Sequence, residues 1–421
     1  MVKFLHAADI HLDSPLRGLE RYPGAPVEQI RQATRRALAN LVDLALAEKV
    51  AFVLIAGDVY DGDWDDYHTG LHFAAEMARL REANIPVVLI SGNHDAQSKM
   101  TRVLRLPTNV KRLSVDVPET IRFDDHDVAI HGQSFATQAV DVDLSAGYPI
   151  ADRGRRNIGL LHTSADGRPG HEPYAPCSVS QLKKKGYDYW ALGHIHKREV
   201  LAEGPWVAFP GNIQGRHIRE TGPKGCLLVE IDDAGVCKIQ PRWLDVLRWE
   251  VCRVDATDAP DAEAVLGLVD ERLRETLAAA ENRLVAVRME IFGRTPAHAE
   301  LTAEPLRWTN EVRSTAVQIG RERAWIEKVS LAVRPVYDAD AAALSDGPLA
   351  ELFSLLTELQ KSDEKLSELG KELGDLKRRL PAELREGPRA LALDSPGELR
   401  GLLDEVGQML VKQLTTREGR A

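Results

Sequence analysis

Read by its apolar positions, the first half of the chain alternates between two periods. "VKFLHAAD" at 2–9, "AFVLIAGD" at 51–58 and "IPVVLISGN" at 85–93 are short apolar runs that read as strands. The second is apolar throughout, as in a strand buried on both faces. Between them lie two helical stretches. Residues 27–49 place Ile30, Ala33, Ala37, Leu38, Leu41 and Leu44 on one face, and 69–84 is a second amphipathic run. Strand–helix–strand order calls for parallel pairing and an α/β layered domain. Further strands are predicted at 127–132, 157–164, 189–196 and 206–212, and residues 225–245 read as a hairpin turning at Asp233 to Gly235.

The pattern changes near residue 246. A helix is predicted over 261–283, a strand over 284–291 with Val285, Val287, Met289 and Ile291 on one face, and another strand over 324–335. This is a small α+β unit. From Gly347 the chain reads as helix, with Leu352, Leu355, Leu359, Leu366, Leu369, Leu373, Leu376 and Leu380 at three-four spacing, one break at Ser362, and Pro381 as the stop. A second helix carries Leu399, Leu402, Leu403, Val406, Leu410 and Leu414. The expected domains are 1–245, 246–345 and 346–421. Helices 349–380 and 397–415 either bury their stripes against each other or dock a partner's coiled coil, and periodicity does not separate the two.

Composition narrows the class. With 44% apolar and 28% charged residues over 421 positions, wholesale disorder is excluded. Lys and Arg total 54 against 64 acids, a net charge of −10, which excludes a uniformly basic nucleic-acid coat but leaves room for local tracks. Cys177, Cys226, Cys237 and Cys252 form no CxxC pair, as suits a reducing compartment. Acids and histidines come too early for a signal peptide, and no apolar run approaches membrane-spanning length. A soluble, cytoplasmic protein with no membrane partner is expected.

The candidate chemistry lies at strand ends. Asp9 and His11 follow the first strand, Asp58 and Asp61 the second, and Gly92, Asn93, His94 and Asp95 the third. His162 ends "NIGLLH", and His194 and His196 end "YWALGHIH". Any one of these alone reads more readily as a helix cap or a hydrogen-bonded structural histidine than as a ligand. In an open α/β sheet, however, the ligand site lies beyond the carboxyl ends of the strands, so five ends aim Asp, His and Asn at one edge. Two divalent cations roughly 3.5–4 Å apart can clamp a phosphoryl group, with a carboxylate between them. Mixed oxygen and imidazole donors suit Mn, Fe or Zn better than Mg or Ca.

The order Asp-x-His, Gly-Asp-x-x-Asp, Gly-Asn-His-Asp, His, Gly-His-x-His resembles the signature of calcineurin-like metallophosphoesterases over residues 1 to about 245. The resemblance implies a layered α/β/β/α sandwich. It implies that Asp9, His11 and His196 hold one metal, that Asn93, His162 and His194 hold the other, and that Asp58 bridges them. It gives His94 the leaving oxygen to protonate or stabilise, and Asp61 the task of orienting His94. "FLHAADIHLDSPL", "GDVYD" and "FPGNIQGRHIRETGPKG" further resemble the SbcD family of bacterial DNA repair nucleases, in its YhaO-like branch. That implies a nuclease domain, a small capping or DNA-binding domain and C-terminal helices that dock an SMC-type ATPase of the SbcC/YhaN kind.

From these readings a manganese-dependent DNA exonuclease is expected, with Fe or Zn as alternative metals and a homodimer left open. Lys197, Arg198, Arg216 and His217 are the candidate phosphate contacts. The rivals are a two-metal enzyme for a small phosphodiester or phosphomonoester, and a largely non-catalytic DNA-end-binding subunit.

Overall fold

The computed structural model describes residues 1–14, 26–62, 67–97, 105–167, 174–336, 348–380, 393, 395–403 and 406. The first strands in the chain are β1 (Val2–Ala7), β2 (Phe52–Ala56), β3 (Val87–Ile90) and β4 (Val110–Arg112), paired in parallel in that order. A second sheet follows: β5 (Glu119–Phe123), β6 (Val128–Gly132), β7 (Arg156–His162), β8 (Tyr189–Gly193), β9 (Glu199–Glu203) and β10 (Trp206–Phe209), in the order β5-β6-β7-β8-β10-β9. Here β6, β7 and β8 are parallel. The chain then returns to the first sheet as a hairpin, β11 (Gly225–Ile231) and β12 (Cys237–Trp243), with β11 antiparallel to β1. The parallel α/β arrangement and the hairpin are as the sequence predicts.

The period-two pattern of the strands explains the layering. Phe4, Phe52, Leu54, Val88 and Ile90 face the second sheet and pack with Val128, Ile130, Ile158, Leu160 and Tyr189. The alternate residues Leu5, Val53, Ile55, Val87 and Leu89 face the other way, onto Leu38, Leu41, Phe73 and Met77 of the helices. Those helices are Ala33–Glu48 and Tyr67–Glu82. On the far side of the second sheet, Trp190 and Leu192 pack under Leu182 and Tyr187. Two sheets back to back with helices outside form the expected α/β/β/α sandwich.

A third sheet, β13 (Leu247–Asp255), β14 (Leu284–Arg294) and β15 (Ala324–Arg334), accompanies helices Ala262–Ala279 and Pro305–Gly320. Val285, Val287, Met289 and Ile291 are buried, as their alternation predicts. The helix Pro305–Gly320 has no counterpart in the sequence reading. Its buried stripe is only Trp308, Val312, Ala316 and Gly320, too sparse in large apolar side chains to stand out among the polar positions around it. Tertiary contacts divide the chain into two compact units, one of 1–254, 266–291 and 305–331, the other of 255–265, 292–304 and 332–421.

The leucine-rich segment is three helices, Pro348–Lys361, Asp363–Glu372 and Gly374–Arg379. The break falls at Ser362, whose hydroxyl caps the next helix by accepting from the Lys365 amide. Helical residues 396–403 and 406 follow, while Leu410 and Leu414 lie outside the described residues. Leu356, Leu366, Leu393, Leu399 and Leu403 bury one another, so part of the stripe is satisfied within the chain. Leu355 and Leu376 stay exposed. Likewise the predicted helix at 27–49 breaks at Gln32 into Val27–Arg31 and Ala33–Glu48.

Candidate metal centre

The carboxyl ends of β1, β2, β3, β7 and β8 meet at one edge of the sandwich. Beyond β1, the Asp9 amide donates to the Gly57 carbonyl and the His11 amide to the Asp58 carbonyl, each at 3.0 Å, so the two loops leave the sheet side by side. Asp9, His11, Asp58 and His194 all adopt positive φ, at 51°, 46°, 53° and 102°. The second sheet is laced to the first by the His194 amide, 3.1 Å from both Asp9 carboxylate oxygens.

The side chains converge accordingly. Asp9, His11 and His196 each bring one ligand atom within 4.8 Å of the others, and Asp58, His162 and His194 do the same. Asp58 Oδ2 stands between the two groups, 3.4 Å from His162 Nε2 and 3.9 Å from His11 Nε2. Asn93 Oδ1 lies 3.0 Å from His162 Nε2. A third group, His11, Asp58 and His94, meets the same 4.8 Å criterion.

Whether these residues fit cations can be tested on the ring nitrogens. His162 Nδ1 faces the Ala56 carbonyl at 2.9 Å, which can only accept, so that nitrogen carries a hydrogen and Nε2 is turned to Asp58 and Asn93. His11 Nδ1 faces Asp61 Oδ1 at 3.2 Å and His196 Nδ1 faces Glu220 Oε1 at 2.7 Å. Their Nε2 atoms then confront each other at 3.1 Å, lone pair to lone pair. Both arrangements repel unless positive charge, a ring proton or a metal ion, lies among the donors. Burial alone would lower the His162 pKa, but the charge and hydrogen bond of Asp58 outweigh it and push it up to about 9. The donor set fits a pair of divalent cations, with no thiolate among its members.

Three motif glycines make room for His162. A Cβ on Gly57 would stand 2.5 Å from its Nδ1, one on Gly92 2.8 Å from its Cε1, and one on Gly193 3.0 Å from its Nδ1 and 1.9 Å from the Ala56 oxygen. The His162 ring sets the limit at Gly57, while Asp58 Oδ1, 2.3 Å from a Cβ on Gly92, and the Ala56 oxygen at Gly193 set it more tightly at the other two. Asp95 is not aimed at the donors. Its carboxylate accepts from the amides of Val59, Tyr60 and Gly92 at 3.0–3.2 Å, clamping the loop after β2 to the loop after β3. Burial, with the charge of Asp58 beside it, pushes its pKa up to about 7.

His94 is more open, with 36% of its side chain exposed, and its Nδ1 lies 3.0 Å from Asp61 Oδ1. Asp61 thus serves two rings, His94 and His11, while its Oδ2 accepts from Ser14 Oγ at 2.6 Å. Burial works to raise the Asp61 pKa, but the bonds from His11, His94 and Ser14 hold it well below the usual carboxylate range. Burial likewise acts to lower the His94 pKa, and the Asp61 hydrogen bond and the Asp58 charge bring it above its ordinary value.

Of the expected phosphate contacts, Lys197 and Arg198 are exposed, and the Arg198 guanidinium stacks 4.5 Å from the centre of the Trp243 ring. His217 is exposed, its Nε2 3.6 Å from Glu220 Oε1. Arg216 is largely buried between two carboxylates, Nη2 3.1 Å from Glu220 Oε1 and Nη1 3.6 Å from Asp61 Oδ2. Sequence reasoning missed Glu220 and the clamp role of Asp95. Glu220 sits in the "GNIQGRHIRETGPKG" segment, but nothing in its spacing from His196 marks a contact.

The profile of calcineurin-like phosphoesterases matches residues 2–198, where these strand ends lie. The profile of the middle domain of metallophosphoesterase YhaO matches residues 249–334. The chain is 37% identical over 297 residues to "Uncharacterized metallophosphoesterase YhaO" of Bacillus subtilis (strain 168), covering 70% of this chain and 72% of that protein. It belongs to the YhaO family of calcineurin-like metallophosphoesterases. It is also 24% identical over 220 residues to the DNA double-strand break repair protein Mre11 of Sulfolobus acidocaldarius and 27% over 222 residues to that of Saccharolobus solfataricus. Each of these two matches spans 50% of this chain and 54% of the relative. Among the described residues no helix is long and apolar enough to cross a membrane.

Proposed function

We propose that this chain is a manganese-dependent DNA exonuclease that works with an SMC-type ATPase. One observation carries the reading: His11 Nε2 and His196 Nε2 face each other at 3.1 Å while His162 Nε2 faces Asp58 and Asn93, a donor set suited to two cations. In this reading Asp9, His11 and His196 hold one, Asn93, His162 and His194 hold the other, and Asp58 is shared. Such a pair supplies a clamp for the phosphodiester and an activated water. The chain's own residues do the rest. Asp61 fixes Nδ1 of His94, which leaves Nε2 of that ring to meet the departing oxygen with a proton or a hydrogen bond. Lys197 and Arg198 follow directly on the His196 motif and offer charge to the flanking backbone of the strand being cut. Residues 246–345 would cap the nuclease domain and 346–421 would dock the ATPase.

DNA as substrate is supported by the likeness to the Mre11 proteins over half the chain. The test is a metal-dependent assay that compares end-labelled duplex DNA with a small chromogenic diester. Mn-dependent shortening of the duplex from its ends is expected. Rapid turnover of the diester with DNA untouched would overturn the DNA reading in favour of a small substrate.

A further inference from the structure

We infer that Glu220 is a positioning residue that fixes the His196 ring with Nε2 toward Asp9 and His11. The inference rests on the two-cation reading of the site. Glu220 is buried, and its Oε1 stands 2.7 Å from His196 Nδ1. The carboxylate also accepts from Arg216 Nη2 at 3.1 Å, the Arg216 amide at 2.7 Å and Asn212 Nδ2 at 2.9 Å. A glutamine amide cannot accept from all of them.

The carboxylate is itself held. Its loop is pinned to the start of β13, where Gln214 Nε2 donates to the Leu247 carbonyl at 2.6 Å. Trp249 Nε1 donates to the Gly215 carbonyl and the Gly222 amide to the Trp249 carbonyl, each at 3.0 Å. Glu220 therefore approaches His196 from a braced backbone. A carboxylate on the outer nitrogen of a ligating imidazole fixes both its tautomer and its direction.

There is a rival for that nitrogen. Arg216 Nη2 lies 3.3 Å from His196 Nδ1. If the guanidinium donated to it, the ring hydrogen would move to Nε2 and no lone pair would face Asp9 and His11. The shorter distance assigns the nitrogen to Glu220. Arg216 then shares Oε1 and reaches on to Asp61, so the carboxylates behind His196 and behind His11 are tied together.

The test is calorimetric titration of the metal-free full-length chain with Mn²⁺. Wild type should take up two ions. Glu220→Gln should weaken one of them roughly 10- to 100-fold and leave the other unchanged. Glu327→Gln makes the same carboxylate-to-amide change at a buried pair with Arg288, on strands β15 and β14, and should leave both near wild type. The inference is overturned if Glu220→Gln keeps both affinities, if it loses both alike, or if Glu327→Gln loses as much. Ring-nitrogen NMR of the metal-free wild type decides independently of any variant. A hydrogen on His196 Nδ1 is expected, and a neutral Nε2–H ring would overturn the assignment to Glu220. A wild type that binds no Mn²⁺ but shows the Nδ1 hydrogen would refute the two-cation reading and leave Glu220 as the ring's partner.

Discussion

Gly193→Ala tests the packing that brings the two sheets to the same edge. A methyl at 193 would stand 1.9 Å from the Ala56 oxygen, where ordinary contact begins at 3.4 Å. One backbone must therefore retreat by about 1.5 Å, in an interior that packs like a crystal. Overpacking of this kind costs roughly 1–3 kcal/mol. The Ala56 carbonyl is also the acceptor that orients His162, and loss of that bond adds about 1 kcal/mol. At about 1 °C per kcal/mol for 421 residues, from an unfolding entropy of roughly 2 cal/mol/K per residue, the unfolding midpoint should fall by roughly 2–5 °C. Mn²⁺ affinity should fall with it, because His162 can no longer keep its ring in place. Gly267→Ala is the control. That glycine lies in the helix Ala262–Ala279 with nothing near its added methyl, so the same chemical change should stabilise by up to about 1 kcal/mol. A Gly193→Ala protein with an unfolding midpoint within about 1 °C of wild type and full Mn²⁺ uptake would refute the argument.

Three further outcomes are expected. Asp58→Asn should abolish activity and the paired uptake of metal, and two tightly bound ions by elemental analysis in that variant would sink the bridging role. His94→Ala should keep both ions while turnover falls by roughly a hundredfold, and loss of an ion instead would make His94 a ligand, as its grouping with His11 and Asp58 allows. His6 is buried between the Tyr189 hydroxyl at 2.8 Å and the Leu192 carbonyl at 3.0 Å, and burial pushes its pKa from 6.5 down to about 3. Below pH 6.5 the unfolded chain therefore binds a proton that the native state refuses, and stability falls by up to about 1.4 kcal/mol per pH unit toward pH 3. Urea unfolding of the metal-free protein should show a shallower acid slope for His6→Gln, and parallel slopes would count against it.

The convergence of strand ends was legible because parallel pairing puts every carboxyl end on one edge, and the motif residues sit between the last residue of a strand and five positions past it. What the sequence hid is what depends on loops crossing between elements. Asp95 stands next to His94, yet it faces the amides of Val59, Tyr60 and Gly92 instead of the donors. Arg216 reads as a phosphate contact beside other basic residues, and the fold buries it between Glu220 and Asp61. Asp61 has one expected neighbour, His94, but the turn also brings it to His11. The leucine stripe showed its period but not its occupant, because stripe leucines such as Leu366, Leu399 and Leu403 that bury one another give the same spacing as leucines that await a partner, and the fold buries Leu356 in place of the expected Leu355.

The backbone at Asp9, His11, Asp58 and His194 has a consequence for what the protein gives up. Non-glycine residues in left-handed or neighbouring conformations cost on the order of 1–3 kcal/mol each. Four such sites in one centre are a debt against a total stability of roughly 5–15 kcal/mol. Glycine or asparagine would sit more easily there, so variation toward a sturdier empty protein runs through these positions and removes its chemistry. The motif is thus a place where stability and function pull apart. Divalent cations that bind only the native arrangement would return part of that deficit by mass action, making the folded chain's resilience a function of metal supply.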